Sequence, residues 1–472
     1  KYALTAPKIS ALQEPVVDFL RKYTQNQALL DIITQHFFRA TPAFFALSYL
    51  KLYVDYHYPV GGTGRLPQEL VSFVVTHDGT ISTNTEIKSV DPHNKTITDL
   101  QGNTYEYERL IWAADLKTLY RILDLDGETD PGVSHRIGAR KQELSDKTGN
   151  DSVYTLFLGL DLPTEYFSTI ATEHFFYTPS RVGQTAAGKI PITENRETIE
   201  KWLEEFFALT TYEISCPVMR DATLAPPNQT GLIISVLFDY SLTKSIEQSG
   251  WYEDFKAYCE TRMIETLNNS IFPGIKESIV HQFSSTPLTL EKYSGNFQGA
   301  ITGWGLDNKP IPAESRIPKI MNAVKTPIPG VFQAGQWTYS PSGLPISFLT
   351  GKIAADQYRW FKIKYVTGPN DAWMMQEVLS RRIRHKEWPE PDLIILDGGK
   401  NQLSVVSKIL PKSWTAKTMA LAKKEEEIFL PNKKTSLRLA RLSPLSLFVQ
   451  YMRNQAHKFA IKNYRNLHRK NI

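Results

Sequence analysis

The segment PGVFQAGQWTYSPSGLPISFLTGKIAAD occupies residues 329–356. Gly335 lets the backbone approach a ligand closely, because no Cβ stands in the way. A helix starting near Gly343-Leu344-Pro345 leaves free amides at its first turn, and these can hold anionic oxygen. The bland alternative is a glycine-rich turn with no ligand.

Immediately beyond this segment the charge of the chain changes sign. Residues 358–472 carry 23 Lys+Arg against 9 Asp+Glu, a balance of +14, whereas residues 1–357 carry 31 against 40, a balance of −9. So abrupt a switch suits two domains with different partners. A basic block of that size attracts phosphate backbones through counterion release, unless it is only a solvated face. The length of 472 residues suits two or three domains, and 42% apolar with 22% charged residues is ordinary for folded protein. Cys216 and Cys259 stand alone, which fits a reducing cytoplasm and argues against a disulfide framework or a zinc site. No run of eighteen apolar residues occurs, so no spanning helix is expected. The start KYALTAPKI has neither an initiator Met nor a signal pattern and reads as a fragment.

Upstream, residues 8–55 read as helical, with Phe37, Phe38, Phe44, Phe45 and Tyr49 clustered. A buried helix pair is one reading; the wall of an apolar tunnel or a membrane-resting face is the other. Residues 58–67, YPVGGTGRLP, imitate a dinucleotide fingerprint, but no apolar strand precedes them and Pro67 stands where the third glycine belongs. A glycine turn opening a helix fits better. From residue 81 the period changes to that of a small antiparallel meander, with turns at Asp91-Pro92-His93-Asn94 and Gln101-Gly102-Asn103, feeding a buried strand over 110–114.

Downstream, YRWFKIKYVTGPNDAWMMQEVLSRRIRH (358–385) opens with strand alternation, turns at Thr367-Gly368-Pro369 and enters an amphipathic helix with Met374, Val378 and Leu379 apolar and Arg381 and Arg382 basic. PDLIIL (391–396) is a short buried strand ending in Asp397-Gly398-Gly399-Lys400. A carboxylate at the carboxyl end of a central strand, followed by glycines, is where open α/β sheets place chemistry. A helix (401–410), TMALAKK, a hairpin-like EEEIFLP and a long helix capped by Ser443 follow, the last placing His457 in its second half.

The first part resembles the flavin-dependent phytoene desaturase and carotenoid isomerase-like family, within the amine-oxidase-type flavoproteins. The resemblance rests on YPVGGTGRLPQEL, NTEIKSV, SVYTLFLGLD, CPVMRDATLAPPNQTGL, GAITGW and the segment quoted first, and covers nearly all of 1–357. It implies FAD as cofactor and an apolar, polyene-like substrate. Gly335, Gln336, Gly343, Leu344 and Pro345 would line the ribityl chain and isoalloxazine, and the backbone of Ile87 would sit near the adenine. Many relatives carry an acid where Gln336 stands, which leaves the substrate subgroup open. The family's strand–GxGxxG–helix is absent from this sequence, so the polypeptide is expected to hold FAD weakly or not at all.

The second part is similar to the C-terminal endonuclease domain of the excinuclease subunit UvrC, a ribonuclease-H-like fold. VTGPNDAWMMQEVLSRR, PDLIILDGGKNQL, LAKKEEEIFLP and RNQAHKFA carry that likeness in family order. It implies cleavage of damaged DNA by an Asp-Asp-His cluster holding Mg²⁺ or Mn²⁺, with Asp397 and His457 in two of the positions. Lys400 and Arg453 would contact phosphate, and the helicase subunit UvrB would be a partner. The family's first aspartate has no counterpart upstream of residue 358, so the metal site and incision are expected to be impaired, unless Asp371 or Glu377 substitutes.

The expected architecture is therefore α/β and α+β: a partial amine-oxidase-type flavoprotein fold over 1–357, then a partial ribonuclease-H-like domain over 358–472. The expected function is that of fused remnants of an oxidoreductase and a repair endonuclease, in the cytoplasm. The alternative is a non-catalytic DNA-binding module with an inert flavoprotein-like scaffold. Open strand edges and an apolar patch are expected to make the chain poorly soluble.

Overall fold

The computed structural model describes residues 12–52, 57–127, 130–191, 193–316, 319–356, 366, 370–384, 390–391, 393–414, 417–422, 427–431, 433 and 435–438. The chain divides into two compact units, Lys1–Gln357 and Tyr358–Ile472.

In the first unit, α1 (Val16–Leu20), α2 (Gln27–Thr34) and α3 (Ala43–Leu52) form a small helical cluster. Phe37, Ala43 and Ala46 are buried against Val16, with Phe19 and Tyr49 packed on them, in three short helices where the sequence suggests a pair. Helix α4 (Arg65–Thr76) follows a turn in which Gly61 and Gly62 take φ of 85° and 86°. None of its residues is buried, and Leu66, Leu70, Val71, Phe73, Val74 and Val75 are 37–62% exposed.

The meander is β1 (Ile87–Asp91), β2 (Thr96–Asp99) and β3 (Thr104–Glu106), antiparallel in that order. Its first strand begins at Ile87, not at residue 81, because Asn84 turns the chain at φ 55°. Asp91 accepts from the amides of His93 and Asn94, which closes the first turn. Strand β4 (Leu110–Trp112) then leads to α5 (Leu116–Arg121) and α6 (Pro131–Ser145). Asp115 caps α5 through Thr118 N at 2.7 Å.

The largest sheet uses β5 (Ser152–Leu160), β6 (His174–Tyr177), β7 (Tyr212–Ser215), β8 (Thr230–Phe238) and β9 (Ile279–Ser285), antiparallel throughout in the order β6-β7-β8-β5-β9. Residues of β8 alternate buried and half-buried along its length, the period-two signature of a sheet with one covered face. Leu232, Ile234 and Val236 join Tyr154, Leu156 and Leu158 beneath α7 (Arg196–Leu209) and α9 (Tyr252–Asn268), with α8 (Tyr240–Gln248) closing one end. Cys216 and Cys259 lie in this core as free thiols. Burial pushes the Cys216 thiol up to about 11.

Past α10 (Pro287–Ser294), β10 (Val331–Gln333) returns to pair in parallel with β4, and α11 (Leu344–Asp356) follows it. Val331 and Trp112 share a core with Val90, Leu116, Trp304 and Trp337.

The second unit contains α12 (Asp371–Arg384), β11 (Leu393–Asp397), α13 (Lys400–Ser407), β12 (Lys417–Ala422), β13 (Glu427–Phe429) and β14 (Leu437–Arg438). The sheet runs β11-β12-β13-β14, parallel in its first pair and antiparallel after it. Met375 and Leu379, rather than Met374, pack on Ile394, Leu396 and Leu403. Arg382, read above as part of a basic face, is 8% exposed and sets its guanidinium 5.6 Å from the Trp414 ring centroid. The strand expected over 358–366 (apart from Val366) and the helix capped by Ser443 lie outside the described residues. Among the described residues, no helix is long and apolar enough to cross a membrane.

Candidate functional site

Gly335, Gln336, Gly343, Leu344 and Pro345 fall on one strand–turn–helix, β10 to α11. The Ala334 amide donates to Trp112 O at 2.9 Å, which extends the β4–β10 pairing by one residue. Gly335 then takes φ 87°, a conformation that a side chain resists. Its amide donates to Thr350 Oγ1 at 3.0 Å, and that hydroxyl donates to Ile346 O at 2.8 Å, so α11 is pinned to the end of the strand. Gln336 follows, half-buried, and a Cβ on Gly303 would meet its carbonyl oxygen at 2.2 Å. That close approach explains the glycine at 303. Leu344 and Pro345 are exposed at the start of α11, so the helix terminus opens outward.

Two details of this turn bear on a flavin. The hydroxyls of Thr338 and Ser340 are buried with no hydrogen-bond partner among the described residues, although each residue is under 4% exposed. Buried polar atoms left unpaired cost free energy, so the turn is built for polar company. Together with the open helix terminus and Gly335, these residues fit the ribityl and isoalloxazine side of a flavin. Trp337 fixes the floor: it is buried, donates to Asn296 Oδ1 at 3.2 Å, and accepts from Trp304 Nε1 at 2.9 Å.

Ile87 is the first residue of β1, on a different sheet from Gly335. The two regions are joined through Val90, whose amide donates to Ile122 O at 3.0 Å and whose carbonyl accepts from Asp124 N at 2.8 Å. Ile87 packs on the same core as Trp112 and Val331.

For the pyrophosphate the match fails. In the first unit the glycine-rich turn at 61–64 opens a described helix, and there the Gly61 amide donates to Asp221 Oδ2 at 2.6 Å. Thr223 and that amide hold the Asp221 carboxyl below the usual carboxylate range. A carboxylate already sits where a phosphate would need donors. No strand precedes the turn among the described residues. The glycine-turn reading of 58–67 is the one the geometry bears out.

Asp397 ends β11, where Gly398 N donates to Leu421 O at 3.0 Å and Gly399 N to Gln402 Oε1 at 3.0 Å before α13 begins. The carboxylate is thus half-buried at the carboxyl end of a parallel strand, as its spacing before two glycines predicts. Lys400 is exposed as the first residue of α13. His457 and Arg453 lie outside the described residues. Of the two substitutes, Glu377 is committed to structure: it accepts from Val366 N and from Arg381 Nη1, both at 3.2 Å. Asp371 is exposed at the start of α12. Among the described residues, no group of three His, Cys, Asp or Glu side chains could hold a metal ion. A lone carboxylate at a strand end does not make a divalent-cation site, so the described residues do not fit the ion by themselves.

Sequence reasoning passed over Asp115, Asp221 and Thr350, which hold these turns in place. Asp115 alone had a legible signal, an aspartate closing a strand and preceding a helix.

Comparison with known proteins gives two family matches that overlap over residues 339–358. Residues 14–358 match the family described as flavin containing amine oxidoreductase, and residues 339–461 match the UvrC RNase H endonuclease domain. UvrABC system protein C of Chlorobium phaeobacteroides is 40% identical over 126 residues, 26% of this chain and 20% of that protein. The protein of the same name from Dictyoglomus thermophilum is 40% identical over 138 residues, 28% of this chain and 22% of its own. The chain thus spans about a fifth of the length of the curated relatives it matches. Among solved structures, an oxidoreductase from Methanosarcina mazei aligns over 76% of this chain and 72% of its own, with a TM-score of 0.48 and 12% identity.

Proposed function

The chain belongs to the flavin containing amine oxidoreductase family across residues 14–358 and carries a UvrC RNase H endonuclease domain across 339–461, and from that premise we propose that it joins remnants of two activities, each impaired. The first, over 1–357, is an FAD-dependent oxidoreductase region acting on an apolar, polyene-like small molecule. The second, over 358–472, is a metal-dependent DNA-incision domain of nucleotide excision repair, with UvrB as its helicase partner in the cytoplasm.

One pair of observations supports this reading: the turn after β10 holds Gly335 at φ 87° beside the unpaired buried hydroxyls of Thr338 and Ser340, while the Gly61 amide is claimed by Asp221. When bound, the flavin would accept the electrons removed from substrate. Gly335 would allow its close approach, the amides at Gly343, Leu344 and Pro345 would face anionic oxygen, and Gln336 would hydrogen-bond the ribityl side. Ile87 would offer backbone to the adenine. With the Gly61 amide engaged and no phosphate cradle among the described residues, the contacts named here would leave affinity low, because pyrophosphate contacts supply much of the helix-terminus attraction. In the second half Asp397 and His457 would share a Mg²⁺ or Mn²⁺ ion, and Lys400 and Arg453 would contact phosphate.

The test is reconstitution of the purified 472-residue polypeptide with excess FAD, followed by gel filtration and an absorbance spectrum. Flavin that separates from the protein supports the proposal; a yellow protein with one flavin per chain overturns it. Nicking of supercoiled DNA on adding manganese would likewise overturn impairment of the second half.

A further inference from the structure

A cleft of about 560 Å³ lies in the first unit, between the loop after α2, the end of β8 and the Trp202–Phe206 face of α7. Its size is that of a small-molecule site. Trp202, Phe206, Leu237, Phe238 and Phe38 supply an apolar wall. Arg39, Asp151 and Lys189 also line it.

The polar atoms of the cleft are unevenly spent. Asp151 accepts from Arg39 N at 2.6 Å and from Arg39 Nε at 2.7 Å, so both its oxygens are engaged. Asp31 accepts from Gln27 Nε2 and from Thr185 N. Asp239 caps α8 through Leu242 N at 2.8 Å. The donors are another matter. The two Nη groups of Arg39 and the Nζ of Lys189 have no hydrogen-bond partner among the described residues, although Asp307 and Asp239 also act on the Arg39 charge. Trp202 Nε1 is buried and unpaired. What remains to be satisfied is chiefly donors, and donors ask for acceptor oxygen.

We propose that this cleft binds a single apolar chain ending in a carboxylate, its chain along the aromatic wall and its head group on Arg39 and Lys189. The Nε and backbone clamp on Asp151 holds the guanidinium in one orientation, so little side-chain freedom is lost when a carboxylate arrives. The cleft is linked to the candidate flavin turn by a chain of hydrogen bonds that begins at the start of β5. Asn150 Nδ2 donates to Thr302 Oγ1 at 2.8 Å, and Ser152 Oγ donates to Gly299 O at 2.7 Å. Trp304, in the same segment, donates to Trp337 O. The inference rests on the apolar-substrate reading above and sharpens it: the substrate class is an amphiphilic anion, neither an amine nor a bare hydrocarbon.

The experiment is a fluorescence titration of the full chain, without added flavin, with cis-parinaric acid, a conjugated polyene carboxylate that brightens on leaving water. Its methyl ester is titrated in parallel, and dodecanoate and dodecylamine serve as competitors. The acid should saturate a single site and bind about tenfold more tightly than the ester. Lys189→Glu should weaken the acid about tenfold and leave the ester unchanged, and Leu237→Trp should abolish both by filling the cleft. Equal binding of acid and ester, stronger displacement by dodecylamine than by dodecanoate, or no binding at all would each overturn the proposal. Lys189 is exposed, so its variant keeps the test standing should Leu237→Trp misfold. Because flavin plays no part in the readout, failure here leaves the flavin reading untouched, and the reverse also holds.

Discussion

Asp115 does two jobs with one carboxylate. It caps α5 through Thr118 N and also accepts from Phe297 N at 3.1 Å, tying the helix to a segment far away in sequence. The residue is 3% exposed, so neither amide would find water if it were removed. Asp115→Ala should destabilise the first unit by about 2–3 kcal/mol, the sum of a lost cap and an orphaned buried amide, measurable by urea denaturation. His36 offers a second test. Burial lowers its pKa to about 4 from an ordinary 6.5, against a smaller opposing pull from Glu213, and neither ring nitrogen has a partner among the described residues. Between those values the unfolded chain holds a proton that the folded chain refuses. Stability should therefore fall as pH drops from about 6.5 towards 4 and level off below it. His36→Phe should flatten that part of the profile in paired thermal melts.

At the scale of elements, the strand–turn–helix at 331–356 depends on one hydroxyl. Thr350→Val keeps the shape but leaves the Gly335 amide without its acceptor, and should cost about 1–2 kcal/mol while lowering whatever flavin affinity the turn possesses. Calorimetry and a flavin titration would read the two effects separately. Elements governed by their neighbours in sequence were legible beforehand. The meander showed itself through Asp91 and Gly102, whose turn chemistry is local, and the strand end at Asp397 through the two glycines after it. What could not be read depends on distant partners. Arg382 looks like any basic helix residue until Trp414 covers it. The order β6-β7-β8-β5-β9 rests on pairings between remote segments, such as Leu156 with Ser284, that no local pattern announces. The Gly61 amide and Asp221 are likewise brought together only by the fold.

For the whole molecule, the change of sign at residue 358 makes a prediction that needs no detail of either site. If the basic half contacts nucleic acid through backbone phosphates, affinity for duplex DNA should fall linearly on a log–log plot of salt between about 50 and 200 mM. Sequence should matter little. Fluorescence anisotropy with two unrelated duplexes would show both effects, and a flat salt profile would exclude this mode of binding. The acidic first half, at −9, opposes the same polyanion, so the slope should be shallower than 23 cationic side chains alone would suggest.

Helix α4 has a kinetic consequence. Twelve residues are about the least that stays helical in water unaided, and most helical stability in proteins comes from packing. With no residue buried, α4 draws almost nothing from its surroundings, so its amides are guarded by little more than their own i→i−4 bonds. In deuterated buffer the peptide covering 65–76 should take up label early, at small local opening free energies, whereas the strands at 152–160 and 230–238 should stay dark until the unit opens as a whole. A ligand or companion chain that settles on those six bare side chains would announce itself as sudden protection of that one peptide.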